Sequence, residues 1–532
     1  MSQPNHPWVE SSPGIYTQTH DSFQQFFSDW ISGEKSSSRT TLIETSCIRI
    51  KPRSHSTPHA QYTEDRFEDF LRKAWISMRI NNPGLAVDVS RHCHTYVVPS
   101  ERSLEAIQGW LDETFLVHRD RSARDLIRSL DREHRPRLHW LPRSKELVLT
   151  VHHCFFDARG TWMFWDSFLK HVVAISSTIV NNEPSGVESS DTDNLTKLPP
   201  ARDDLLGLPS YPTVQAWLKA YALVPPALQE DMVLLPPTRP PPTAIAPQDW
   251  PTGPSNFLRS SLSENQTAAV IAACKAKGIS ITAAFYAAFS SAARAIQTTN
   301  VEHQAESESK RGRYAVSFHH FDIRPWLESY HKHRVSLGLS SDDSVTASSS
   351  GRLLGVDYHS LVPFALNMLE PCSATDSSNT KPKERPFLEL ARDMTSFFQT
   401  TRAEFAQDAT GLDATNYLIR AMFSPERPAN SAPIFSSSGV AERYIRRVYD
   451  SSDGEEGDEG ERNAKRGLVI EVEDIYTLTL GAKVMNAVML HTFRNRIWVA
   501  ATFDEEYFDS ELFETLLGEA FRRLLDGLGI EE

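Results

Sequence analysis

Residues Leu147-Val-Leu-Thr-Val-His152-His153-Cys154-Phe155-Phe156-Asp157-Ala158-Arg159-Gly160 decide how the rest of the chain is read. The first five form a short β-rich run. Trp162, Trp165, Phe168 and Leu169 then fall at helical spacing, so the residues between make a strand-to-helix turn. Loops at strand ends, held by a rigid scaffold, are where reactive side chains usually stand. A histidine there titrates near neutral pH and can serve as a general base. Asp157 follows His153 by one turn and could orient the imidazole directly or brace the loop through a basic partner. Gly160 would let a ligand approach the backbone closely. Taken alone, these residues also fit a strand-terminal histidine satisfied by backbone groups. Cys154 is read as a small buried residue, because adjacent strand residues point to opposite faces and it cannot easily pair with His153. The stripe Trp162, Trp165, Phe168 is read as core. His152-His153 with Asp157 has no H-E-x-x-H support, so no metal is expected.

Working outward, Phe67, Phe70, Leu71, Ala74, Trp75 and Met78 repeat at helical spacing. Ser263 and Gln266 form a capping-box pattern ahead of an Ala-rich helix ending at Gly278, and Ile281 to Ile296 is a second helix. Leu468–Val472, Val488–Leu490 and Ile497–Phe503 read as strands, the last two joined through Arg494-Asn495-Arg496. Leu512, Phe513, Leu516, Leu517, Phe521, Leu524 and Leu525 give an amphipathic final helix. Pro225 to Pro254 holds ten prolines in thirty residues, a density that forbids helix and central strand. It divides the chain into an N-terminal domain, 1–225, carrying the His motif, a connector, 226–255, and a C-terminal domain, 256–532. Ile175 to Asp204 reads as a further loose linker. Surface insertions are expected near 340–385 and 450–462, where seven acidic residues lie between Asp450 and Glu461. Helices and strands recur in both halves, which argues for an α/β protein of two similar layered domains.

The chain has 532 residues, with 55 Lys+Arg against 69 Asp+Glu and a net charge of −14. An acidic chain with no Lys/Arg stripe is a poor nucleic-acid binder and a poor peripheral membrane protein. No apolar run approaches the ~20 residues that span a bilayer. The polar N-terminus lacks a secretion pattern, so a cytoplasmic location is expected. Five scattered cysteines form no C-x-x-C pair, which fits a reducing compartment. No G-x-S-x-G elbow, P-loop or G-x-G-x-x-G is present, so serine hydrolase, NTPase and dinucleotide-binding readings lack their signatures.

His152-His153-x-x-x-Asp157 resembles the H-H-x-x-x-D motif of condensation domains, plant-type H-x-x-x-D acyltransferases and, closest in pattern, fungal trichothecene 15-O-acetyltransferases. Phe70 to Leu85 resembles that superfamily's early helix and turn, and Leu262 to Ala295 its second-half helix pair. Phe318 to Leu327 resembles its R-P-x-L segment, and Ile434 to Val440 its channel strand. Asp504 to Asp509 is similar to the stretch before its last helix. The resemblance covers roughly residues 60–530. It implies the chloramphenicol-acetyltransferase-like fold, two similar α/β sandwich domains with a channel at their interface. His153 would be the base, with His152 and Gly160 supporting. Asp157 would point away from the channel into a salt bridge, for which Arg324 is the candidate partner.

The chain departs from the pattern at Ala158, where the superfamily usually has Gly, and it lacks the plant D-F-G-W-G motif. The resemblance implies an acyl-CoA-dependent O-acyltransferase that acylates a hydroxyl of a secondary metabolite. Acyl-CoA would be a co-substrate, with no permanently bound cofactor. The expected partners are that donor and a small-molecule acceptor, and the chain is expected to be a monomer. Two alternatives stand beside it: a free-standing condensation-like enzyme using a carrier-bound donor or catalysing cyclisation, and a non-catalytic binding protein. Ser436, Ser437 or Ser438 could supply an oxyanion donor, with Ser436 and Ser438 the candidates, or the three serines could simply be a polar strand end. His319-His320 is read as strand or loop packing, and Arg443, Arg446 and Arg447 as a solvated helix face. His153 is expected near the middle of a through-channel or deep cleft, open to both faces.

Overall fold

In the computed structural model the described residues are 5–29, 42–54, 63–98, 104–130, 135–180, 197–206, 213–223, 235–242, 250–299, 313–326, 358–370, 383–407, 434–450, 468–481 and 486–531, with single positions 195, 208, 211, 233 and 244. Most of the insertions expected near 340–385 and 450–462 lie outside them, as does much of the Pro-rich stretch.

The strand expected at Leu147–Val151 runs from Glu146 to His152 and lies inside a six-stranded sheet. In order, that sheet holds Val448–Asp450, Leu468–Leu480, Ile43–Ser54, Glu146–His152, Arg137–Leu141 and Phe115–Val117. One face carries the helices Glu64–Asn81 and Ala158–Val180 over a core that includes Phe70, Trp75, Trp162, Trp165 and Phe168. Two buried indoles reach polar partners on the sheet: Trp165 Nε1 donates to Ser46 Oγ at 2.9 Å and Trp162 Nε1 to Thr477 Oγ1 at 3.1 Å. The aromatic stripe is therefore core with its N–H groups satisfied, as burial of tryptophan requires.

A second layered unit packs the helices Ile281–Thr299 and Ser510–Leu528 against a sheet ordered Ile434–Val440, Ala487–Phe493, Arg496–Asp504 and Ser255–Ser261. Ser263 and Gln266 do form a capping box, and Gly278 closes that helix at φ 66°, a conformation glycine adopts without a Cβ clash. Arg494 and Asn495 turn the final hairpin with φ of 50° and 59°, the paired positive values that match strand twist. Tyr314–Asp322 and His359–Asn367 form a separate antiparallel pair.

Composition alone misplaces two boundaries. The stretch 226–255 separates most of the two cores but not the strands. Leu468–Leu480, from the C-terminal half, pairs along Ile43–Ser54, so the sheet bearing the His motif is built from both halves. A thirteen-residue strand adding to an open sheet edge satisfies a long row of backbone groups, and no polar linker can signal that. The loose linker expected from Ile175 begins later, because the helix after the His motif continues to Val180.

Between the two units the free face of the first sheet meets the second. Cys47, Val148 and Leu478 pack with Phe257, Met489 and Ala500. Arg259 reaches across to Asp474 in a bidentate pair at 2.6 and 2.9 Å and lies over the rings of Tyr476 and Trp498. This seam fixes the two lobes around the cavity described next.

Candidate active site

His153 leaves the sheet one residue after the strand ends. Its backbone N–H donates to the Leu42 carbonyl at 3.0 Å, which extends the pairing of Ile43 with His152. The turn beyond is held by His152, whose Nδ1 accepts from the Cys154 N–H at 3.2 Å. Cys154 is buried and its thiol donates to the Gln24 carbonyl. Both residues thus shape the loop rather than face the cavity.

The His153 ring stacks on Phe27, with centroids 4.1 Å apart and planes 10° from parallel. Its Nε2 lies 3.6 Å from Glu44 Oε2. Glu44 is only 1% exposed, and its Oε2 accepts from Thr479 Oγ1 at 2.8 Å. A buried carboxylate beside the imidazole favours the protonated ring, the state a base reaches once it has taken a proton.

Asp157 is among the residues bordering the cavity rather than wholly turned from it, but its carboxylate is taken up by structural contacts. Its carboxylate caps the helix that follows, Oδ1 accepting from the Gly160 N–H at 2.7 Å. Arg324 Nη1 approaches Oδ2 at 2.9 Å and Nη2 donates to Oδ1 at 3.1 Å. The Tyr358 N–H donates to Oδ2 at 3.1 Å. Of the two roles left open for Asp157, bracing the loop through a basic partner is the one this geometry performs.

Arg324 also contacts Asp322, which in turn pairs with Arg159 Nη1 at 2.8 Å. Burial works against the Arg324 charge, yet Asp157 and Asp322 together hold its pKa above the usual range. Burial likewise opposes the charge of Asp322, but Arg324 and Arg159 keep its pKa below the usual carboxylate range. The alternating acids and bases link the His loop to the strand Tyr314–Asp322 of the second half. Arg159 extends the link by donating to the Ser438 carbonyl at 3.1 Å.

Gly160 serves a different end from the one its sequence suggests. A Cβ there would lie 3.1 Å from Arg324 Nη2 and 3.2 Å from Phe156 Cδ1. The space beside Gly160 is filled by the guanidinium, so the residue admits the Asp157–Arg324 pair rather than a ligand.

These groups border a cavity at the lobe seam that is partly open to solvent, with a volume of roughly 90 Å³. Its walls include His153, Ala158, Glu44, Phe27, Leu361 and Phe503. Ser436, Ser437 and Ser438 line the opposite strand. Ser437 shares a 2.9 Å hydrogen bond with Thr282, while a bulge in the pairing to Ala487–Phe493 falls at Ser438. His319 and His320 separate, because strand neighbours face opposite ways. His319 packs against Tyr286 and Phe398, and burial pushes its pKa down to about 3. His320 lines the cavity, 4.7 Å from the His359 ring, which corrects its reading as packing. Arg447 pairs with Glu442 beside a short 3-10 turn, Ala441–Arg443, rather than on a helix face.

Sequence reasoning missed the N-terminal contribution. Phe26, Phe27, Leu42 and Glu44 all lie before residue 60, where the resemblance began. The signal was present: Asp21 and Gln24 form a capping box, and Phe23, Phe26 and Phe27 share one face of the helix Ser22–Ser28. Among the described residues there is no cluster of side chains able to hold a metal ion. Nor is any single helix among them long and apolar enough to cross a membrane.

No protein-family model matches the chain. Two curated proteins of Monascus ruber are similar along nearly its whole length. Acetyltransferase pigO is 24% identical over 99% of both chains, and O-acetyltransferase pigM is 23% identical over 98% of this chain and 88% of its own. Among solved structures, TRI3 trichothecene 15-O-acetyltransferase from Fusarium sporotrichioides superposes with a TM-score of 0.69 at 15% identity, covering 98% of each chain. The chain has the chloramphenicol-acetyltransferase-like fold. The H-H-x-x-x-D loop of this chain stands at the cavity between its two α/β lobes rather than inside one lobe.

Proposed function

We propose that the chain transfers an acetyl or other short acyl group from an acyl-CoA thioester to a hydroxyl of a small-molecule secondary metabolite, with His153 as the general base. The observation that carries this reading is the position of His153, stacked on Phe27, beside Glu44, in the wall of the seam cavity. A neutral alcohol is a poor nucleophile. Nε2 takes its proton as the oxygen bonds to the thioester carbonyl carbon, and Glu44 offsets the charge gained by the ring. The tetrahedral oxyanion needs a donor, for which the Ser436 and Ser438 hydroxyls are the candidates. Collapse breaks the carbon–sulfur bond. The departing thiolate recovers the proton from the imidazolium, so alcohol and thioester become ester and thiol with no covalent enzyme intermediate. Holding both substrates at one base replaces a slow bimolecular encounter. Asp157 and Arg324 fix the loop and take no part in proton transfer. The mostly apolar walls suit a neutral acceptor, and the reading makes the enzyme a cytoplasmic monomer that needs no bound cofactor.

The test incubates the protein with acetyl-CoA and a panel of hydroxylated terpenoid and polyketide alcohols, following free thiol and ester mass. Stoichiometric thiol and ester support the reading. Transfer only from a carrier-protein thioester would replace acyl-CoA as the donor.

A further inference from the structure

Asn486 stands at the start of the strand Ala487–Phe493, and its backbone is pinned by the Ile434 N–H donating to its carbonyl at 2.9 Å. The residue is 1% exposed and borders the seam cavity, yet among the described residues neither Oδ1 nor Nδ2 of its side chain has a hydrogen-bond partner. Buried polar side chains are otherwise almost always paired, so an amide unpaired at both ends, at the wall of a substrate cavity, is built for something that arrives.

Its surroundings say what. The next residue, Ala487, offers its carbonyl to Thr502 Oγ1 at 3.4 Å, and the same hydroxyl lies 2.9 Å from the Thr479 carbonyl. Thr479 donates to Glu44, and Glu44 flanks His153. A continuous polar wall therefore runs from the base to Asn486 across four strands, while Phe26, Phe27, Leu361 and Phe503 make much of the rest apolar. Of the four acidic residues in the lining, Asp157 and Asp322 are paired with Arg324 and Arg159, which leaves the carboxylates of Glu44 and Asp504 to set the charge of the wall. Those two disfavour an anionic acceptor. The amide presents a donor and an acceptor side by side, and its complement is a group presenting the same pair.

We propose that Asn486 selects the acceptor, holding an uncharged molecule by an edge where a hydroxyl sits beside a carbonyl or a second hydroxyl. This rests on the acyl-transfer reading above. Sites that hydrogen-bond a substrate group discriminate strongly against analogues lacking it, because their own polar atoms are then left unmet.

The experiment compares a matched pair of alcohols, one carrying a carbonyl beside a non-reacting hydroxyl and one stripped of both, with acetyl-CoA as donor and the full chain as enzyme. The wild type should favour the first in kcat/KM by about 100-fold. Asn486→Leu, close in volume, should bring the ratio to within a few-fold of one, with Asn486→Ala following it. The melting temperature of the ligand-free Leu variant should equal or exceed that of the wild type, since a buried unmet amide has been removed. A preference that survives in both variants, or a Leu variant several degrees less stable, would overturn the assignment of Asn486 alone. If the wild type acylates neither alcohol nor any other in the panel, the acyl-transfer reading fails and this inference with it.

Discussion

Replacing Asp157 by Asn tests the brace behind the His loop. The carboxylate receives four hydrogen bonds or ion contacts from Arg324, Gly160 and Tyr358. An asparagine keeps one acceptor oxygen, which can still cap the helix at Gly160. Its NH2 would replace Oδ2 and face the Tyr358 N–H and Arg324 Nη1, donors against a donor. Breaking one partner of a buried ion pair costs about 3–5 kcal/mol. Arg324 retains Asp322 at 3.1 Å, which places the expected loss near the lower end, about 3 kcal/mol. For a cooperative chain of 532 residues that is about 3 °C in melting temperature. Thermal unfolding of Asp157→Asn, Arg324→Met and the double variant gives the coupling energy, expected at about 2 kcal/mol or more. Additive losses, or an Asp157→Asn variant within about 0.5 kcal/mol of wild type, would refute the brace.

Gly160→Ala gains helix propensity of up to about 1 kcal/mol but crowds Arg324 and Phe156, which costs about 1–3 kcal/mol. Its melting temperature should fall, and a rise would show the contact gives way freely. Burial, reinforced by Glu505 and Glu506, pushes the Asp504 carboxyl up to about 6. Its folded pKa lies above its unfolded one, so its stabilising contribution is full below about pH 4 and lost as pH rises through 6. Asp504→Asn should therefore be about 2–3 kcal/mol more stable than wild type at pH 7, with the gap closing towards pH 4 in denaturant titrations. A gap that stays constant with pH contradicts this. Glu44→Gln removes the carboxylate beside Nε2, so kcat/KM should fall while the protein stays folded. An unchanged kcat/KM would leave Glu44 a purely structural residue.

The His loop, the layered α/β character and the Asp157–Arg324 pairing were legible because each is local or carried by a short motif. Leu147–Val151 and the residues after Gly160 announce their own periodicity, and Arg324 lies in a recognisable segment. Other features depend on chain crossing. Leu468–Val472 reads as a short strand, and only pairing with Ile43–Ser54 extends it to Leu480 and brings Thr479 to Glu44. Glu44 looks like any surface acid in an alternating strand until that register buries it. Asp322 and Arg159 show no pattern as a pair because 163 positions separate them. Asn486 could be noticed only as an unmet amide, a property of packing rather than of sequence.

The claim that His153 is the base of an acyl transfer is tested most directly by one comparison. Acetyl transfer from acetyl-CoA to an alcohol accepted by the wild type is measured for wild type and His153→Ala, with unfolding curves of both. The account predicts a loss of about 10²–10⁴-fold in kcat/KM in a variant that remains folded, its stability lowered by about 1 kcal/mol through the lost stack on Phe27. A folded His153→Ala protein that transfers acetyl within a few-fold of wild type would contradict it.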